Sequence, residues 1–173
     1  MAALFAALIA VGGLFALPFW GPVPFTLQVF FVLLAGVVLG PRLGGLAVAM
    51  YLLLGLVAPV YAQGTSGLGV LLGPTGGYLF GFVAAAVLAG WVAGSRAGRV
   101  RVFSAAVVAL VPIYALGATW LAWQLHIADV RTVLLEGVIP FVPLDLVKAL
   151  GVALVASALV SLRPGLGVPA SSR

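Results

Sequence analysis

No charged side chain occurs before Arg42, and none follows it until Arg96. Few folds accept that. A helix crossing the hydrocarbon core of a bilayer needs about 20 predominantly apolar residues, and these charge-free stretches supply several in succession. Across the 173 residues, 65% are hydrophobic and 6% charged, against about 25% charged in a soluble domain. A soluble chain of this length has too little interior to hide so much apolar surface. The expectation is an all-α integral membrane protein, with 1–173 forming one bundle without soluble appendages.

Prolines and glycines punctuate the apolar text into six spans, at about 1–17, 25–39, 43–57, 77–94, 102–123 and 144–162. The first is closed by Pro18, and its start lacks the basic region of a signal peptide, which favours a retained membrane helix over a cleaved one. Pro18, Pro22 and Pro24 then rule out helix interior and imply an ordered extended connection, with Trp20 at aromatic-belt depth. The segment 40–45 reads as a tight turn, 58–76 as a long loop, and 124–139 as a loop holding a short interfacial amphipathic helix. Pro112 is expected to kink the fifth span. The tail RPGLGVPASSR has the composition of a frayed terminus.

Charge placement orients the bundle. With both termini cytoplasmic, Arg42, Arg96, Arg99, Arg101, Arg163 and Arg173 lie on the inner side, and Arg131, offset by Asp129 and Glu136, on the outer. That asymmetry is what the positive-inside rule requires. The net charge of +5 is therefore topology, and the cations are too scattered for a nucleic-acid face. With no cysteine, disulfides and thiolate metal sites are excluded. His126 stands without a carboxylate at ligand spacing and reads as packing or surface, so no metal is expected. Trp91, Trp120, Trp123 and Tyr114 read as belt aromatics.

Two features resist a purely structural account. Leu68–Phe82, LGVLLGPTGGYLFGF, concentrates glycines, a proline and a threonine in apolar surroundings. Backbone that leaves the helix at membrane depth must be buried in protein or line a wet cavity. Asp145 and Lys148 lie three apart near the start of the sixth span and so share a helix face. They are either a self-neutralising pair that eases insertion or a donor and acceptor aimed at a ligand; the second reading is favoured, because structure alone rarely places a lysine there. Thr26, Gln28 and Tyr51 are further polar groups in the spans that need partners. Ala2, Ala6 and Ala10, with Ala3 and Ala7, form small-residue stripes suited to helix packing. Neither a metalloprotease, hydrolase nor P-loop motif nor a carboxylate pair is present, so an enzyme is not expected.

The segments 22–28 (PVPFTLQ), 33–56, 67–82 (GLGVLLGPTGGYLFGF) and 143–150 (PLDLVKAL) closely resemble, in collinear order, the BioY family of biotin-specific substrate-capture (S) components of energy-coupling-factor transporters. The resemblance implies a six-helix protein of the cell's inner (plasma) membrane that binds biotin from outside. It carries no cofactor, and it works with a transmembrane coupling subunit and two ATPase subunits, or alone, with self-association a further expectation. It implies that Asp145 and Lys148 contact biotin, one at the carboxylate and the other at the ureido ring in either order. Gly73, Thr75, Gly76, Gly77 and Tyr78 would wall the pocket, and Thr26, Gln28 and Tyr51 would line it. It also moves Ala2, Ala3, Ala6, Ala7 and Ala10 from internal packing toward docking of the coupling subunit. One departure is that the family's pocket arginine has no counterpart; Tyr78 stands in the span where one would be sought. The alternative is an S component for another vitamin, such as riboflavin or thiamine, which would share the architecture but not this combination of motifs.

Overall fold

The computed structural model describes residues 1–18, 21–94 and 98–161. The readings of Trp20, Arg96, Arg163, Arg173 and the tail lie outside the described residues. Helix α1 (Ala2–Leu14) runs into a short antiparallel ribbon, β1 (Ala16–Leu17) against β2 (Phe25–Thr26), pairing Ala16 with Thr26 and Leu17 with Phe25. The ends of the proline-rich connection are tied by a strand pair that the sequence did not announce, and residues 21–23 between them form bends rather than the extended run expected. Helices α2 (Gln28–Gly55), α3 (Leu68–Leu71), α4 (Gly76–Ala93), α5 (Arg99–Gln124), α6 (Val130–Gly137) and α7 (Val142–Ser161) follow. Four of them, α2, α4, α5 and α7, are long and apolar enough to cross a membrane.

Helix α2 corrects the turn expected over 40–45. Its two arms are helical up to and beyond one residue, Gly40, whose φ of 80° and ψ of 175° belong to a region essentially reserved for glycine. Pro41 then opens the second arm, where its fixed φ suits a helix start and its missing N–H costs nothing. The arms fold back on each other. A Cβ added at Gly44 would lie 2.8 Å from Gly36 Cα, whereas residues eight apart in a straight helix are separated by about 12 Å. Helix α4 packs into the same corner: a Cβ at Gly90 would meet Pro41 N at 2.5 Å and Gly36 O at 2.6 Å.

Glycine also sets the α4–α5 crossing. A Cβ at Gly81 would lie 2.8 Å from Ile113 Cα and 3.0 Å from Pro112 O, while Gly77 lies against Trp120. Pro112 itself sits inside α5, and the helix is not interrupted there. The expected loop 58–76 is less irregular than its composition suggests. It holds a 3-10 turn at Ala62–Gly64 and the single-turn helix α3, and its end is clamped to α5. Trp120 Nε1 donates to Gly73 O at 2.9 Å, and Gln124 Nε2 donates to Leu72 O. The amphipathic helix expected between 124 and 139 is α6, capped by Asp129, whose carboxylate accepts from the Arg131 and Thr132 amides and the Thr132 hydroxyl. Those bonds, the Thr132 hydroxyl's first among them, hold the Asp129 carboxyl below the usual carboxylate range.

Candidate functional site: a buried Tyr–Asp–Lys network beside a cavity

The end of the bundle where the 23–29 segment, the 61–75 segment and the start of α7 meet contains a cavity with about 610 Å³ of empty space, part of it open to solvent. Its apolar walls come from Val23, Val29, Leu79, Phe82, Ile113 and Phe141, and its polar groups from Thr26, Gln28, Thr75, Tyr114, Asp145 and Lys148, with Tyr61 and Tyr78 adding rings.

Helix α7 presents Asp145 and Lys148 to this cavity because residues i and i+3 share a face. Both are buried, at 3% and 8% exposure, a position in which charged side chains must be paired. Lys148 Nζ donates to Asp145 Oδ1 at 2.7 Å and to the Thr26 carbonyl at 2.6 Å, and it lies 3.9 Å from the centre of the Phe25 ring. That last distance is within cation–π range. Asp145 Oδ2 accepts from the Tyr114 hydroxyl at 2.6 Å. The lysine therefore ties α7 to the β-ribbon, and the aspartate ties α7 to α5. Beside them the Thr26 hydroxyl donates to Gln28 Oε1 at 3.2 Å, and Gln28 Nε2 donates to the Tyr51 hydroxyl. Among the described residues, every buried side-chain nitrogen and oxygen has a hydrogen-bond partner.

The sequence-predicted residues separate into three groups. Thr26, Gln28, Thr75, Tyr78, Asp145 and Lys148 line the cavity, and Gly73 and Thr75 line a second recess beside it. Tyr51 is set back from the cavity: fully buried, it stacks edge-on to Tyr61 at 5.6 Å and receives Gln28. Gly76 and Gly77 do not line it either. They lie against the Leu71 carbonyl and Trp120, where their lack of a side chain lets α4 approach its neighbours. Tyr78 lines the cavity, but its hydroxyl is committed to Gly137 O at 2.9 Å. The alanine stripe divides in the same way. Ala6 and Ala10 are buried in the core and Ala2 is packed against it, whereas Ala3 and Ala7 are exposed.

Tyr114 and Trp120, read as belt aromatics, bond to the Asp145 carboxylate in the cavity and to the Gly73 carbonyl respectively. Trp91 and Trp123 remain largely exposed, as belt residues would be. Tyr61, from the long loop, was also missed. It is fully buried, its hydroxyl donates to Leu52 O at 2.6 Å, and burial pushes its phenol pKa up. A phenol in mid-span was the available signal for Tyr114, since its hydroxyl needs a partner in any apolar setting.

Known proteins resemble this chain over most of its length. The sequence matches the BioY family over residues 1–165. It is 47% identical over 163 residues to the biotin transporter BioY of Thermotoga maritima, covering 94% of this chain and 92% of that one. Against the probable biotin transporter BioY of Pyrococcus horikoshii it is 41% identical over 160 residues, covering 92% and 93%. The fold superposes on the crystal structure of the S-component for biotin from an ECF-type ABC transporter with a TM-score of 0.83 and 27% identity, over 92% of this chain and 88% of the other. A match over almost the whole length, collinear with a shared fold, means that the chain belongs to the BioY family.

Proposed function

We propose that this chain captures biotin for uptake across the cell's inner membrane, as the S component of a vitamin transporter and not as an enzyme. The observation that carries the reading is the cavity over the Tyr114–Asp145–Lys148 network in a chain of this family. An acceptor and a cationic donor, held on one helix face, match the N–H and oxygen groups of a ureido acid. The surrounding apolar wall matches its thiophane ring and methylene chain. The ligand contacts are proposed for Asp145 and Lys148 first, then Thr26, Gln28, Thr75 and Tyr78.

The proposed topology has six spans with both termini cytoplasmic, the two arms of α2 each counting as one. It is supported by the backbone reversal at Gly40 and by the cation distribution. The cavity then opens outward. Transport is proposed to need a coupling subunit and ATPases, since the chain has no P-loop. The docking face is proposed on the exposed side of α1, at Ala3 and Ala7. Titrating detergent-purified protein with biotin, riboflavin and thiamine tests the assignment. Saturable binding of biotin alone is expected; saturation by another vitamin without biotin would reassign the ligand.

A further inference from the structure

Tyr78 lies on the cavity wall, but its hydroxyl is spent on Gly137 O at 2.9 Å. Its path there runs past two bare residues. A Cβ at Gly117 of α5 would overlap the Tyr78 ring, so that glycine is the slot in which the ring lies. A Cβ at Gly137 would overlap the Tyr78 hydroxyl and lie 3.1 Å from Leu121 Cδ2. One side chain of α4 therefore crosses a notch in α5 and ends on the last residue of α6. With the ring confined, the Gly137 carbonyl is the partner that spares a buried phenol the cost of an unmade hydrogen bond.

Gly137 leads into the start of α7. The Val138 and Ile139 amides both turn back onto Leu134 O, at 3.1 and 2.8 Å, and end α6. A tight turn follows: the Phe141 amide donates to Val138 O at 3.0 Å, and the Asp145 amide donates to Phe141 O at 2.9 Å. Phe141 lines the cavity, and Asp145 bears the carboxylate shared by Tyr114 and Lys148. Those two partners hold the carboxylate; the turn holds the backbone that carries it. Helix α6 itself is thinly anchored. Val133 and Gly137 are buried, whereas Val130, Leu134 and Leu135 are exposed. Segments with so few buried contacts are the ones that open locally, so the bond at Gly137 weighs heavily in where this turn sits.

We infer that Tyr78 is a positioning residue for ligand capture: its hydroxyl holds the 137–141 turn, and through that turn it sets where α7 presents Asp145. The inference rests on the proposed biotin capture and deepens it. The ring of Tyr78 is wall; its hydroxyl acts on the ligand only through the backbone of the turn.

Biotin titrations by calorimetry on the purified wild type, Tyr78→Phe, Gly137→Ala and the double variant test this, run well below the melting temperature of each. Amide exchange on the same proteins without ligand completes the set. Tyr78→Phe is expected to weaken biotin binding about three- to tenfold, the scale of one net neutral hydrogen bond, and to speed exchange at the Phe141 and Asp145 amides. Gly137→Ala drives a methyl against the Tyr78 hydroxyl and should weaken binding more than about tenfold. Removing that hydroxyl as well should return the double variant to about the level of Tyr78→Phe, since the two changes share one contact. A lowered melting temperature with unchanged affinity would make Tyr78 a packing residue. Weakened affinity with unchanged exchange would put its hydroxyl on the ligand, and losses that multiply in the double variant would separate it from Gly137. Each of these three results overturns the inference while biotin capture stands. Absence of saturable biotin binding by the wild type would take down the functional proposal and this inference together.

Discussion

Tyr114 of α5 and Asp145 of α7 are joined by a 2.6 Å hydrogen bond that leaves the aspartate's other oxygen to Lys148. The carboxylate is thereby held from two sides before any ligand arrives. Hydrogen bonds to charged groups contribute about 1.5–3 kcal/mol. Tyr114→Phe is expected to weaken biotin binding at least tenfold by calorimetry, an effect of about 1.4 kcal/mol, while the ring keeps its place in the wall. Unchanged affinity would reduce the phenol to a helix-packing group.

Lys148→Ala removes the counterion of a buried carboxylate, and losses of about 2–5 kcal/mol are typical of such truncations. Lowered biotin affinity and a lowered melting temperature in detergent are both expected. The double variant Asp145→Asn/Lys148→Met separates the two effects, because replacing a buried pair as a whole is often neutral for stability. Its melting temperature should recover while biotin binding stays lost. Recovery of both would make the pair purely structural.

The corner where α2 reverses and α4 crosses it depends on bare glycines. Gly90→Ala would bring a methyl to 2.5 Å from Pro41 N and 2.6 Å from Gly36 O, both backbone atoms that cannot swing away. Overpacking of this kind costs about 1–3 kcal/mol, and a clear drop in melting temperature is expected. Gly40→Ala meets no neighbour within 4 Å but must adopt a φ of +80°, so it should destabilise through backbone strain of about 1–3 kcal/mol. Wild-type melting in both variants would refute the close crossing.

Docking of a coupling subunit on α1 makes opposite demands on neighbouring alanines. Ala3→Trp or Ala7→Trp alters an exposed face and should leave biotin binding intact while blocking co-purification with the energising subunits. Ala6→Leu enlarges a side chain that is 5% exposed and should instead lower stability. If the exposed substitutions leave complex formation untouched, the partner docks elsewhere.

Asp129 caps α6, and its carboxyl is held below its ordinary value. A depressed folded-state pKa means that the stabilisation is present above the unfolded pKa and is lost as pH falls through the folded one. Amide exchange at Arg131 and Thr132, corrected for intrinsic rate, should therefore quicken as pH drops below about 4. In Asp129→Ala it should already be fast at neutral pH. A pH-independent wild-type profile would argue against the cap.

Much of this protein was legible in the sequence because the relevant physics is local. Apolar runs fixed by bilayer thickness identified the helical membrane class, and a separation of three residues put Asp145 beside Lys148. Glycine proved readable as a marker and ambiguous as to cause. Gly76 and Gly77 stood out, yet what demanded their bareness was Leu71 and Trp120, contacts that no spacing along the chain reveals. Ala2, Ala6 and Ala10 were equally visible as a stripe, but a stripe has the same spacing whether it faces the bundle or a partner.

Lys148 shows where the division falls. Its type, its burial requirement and its aspartate followed from sequence alone, since a charge in an apolar span must be paired nearby. Its other partners, the Thr26 carbonyl 122 residues away and the Phe25 ring, were decided by the tertiary structure. So was Tyr114, 31 residues from the aspartate it holds. Periodicity reports which face a side chain takes on its own helix. Which atoms stand opposite that face depends on how glycine crossings dock one helix against another, and only the folded chain fixes it.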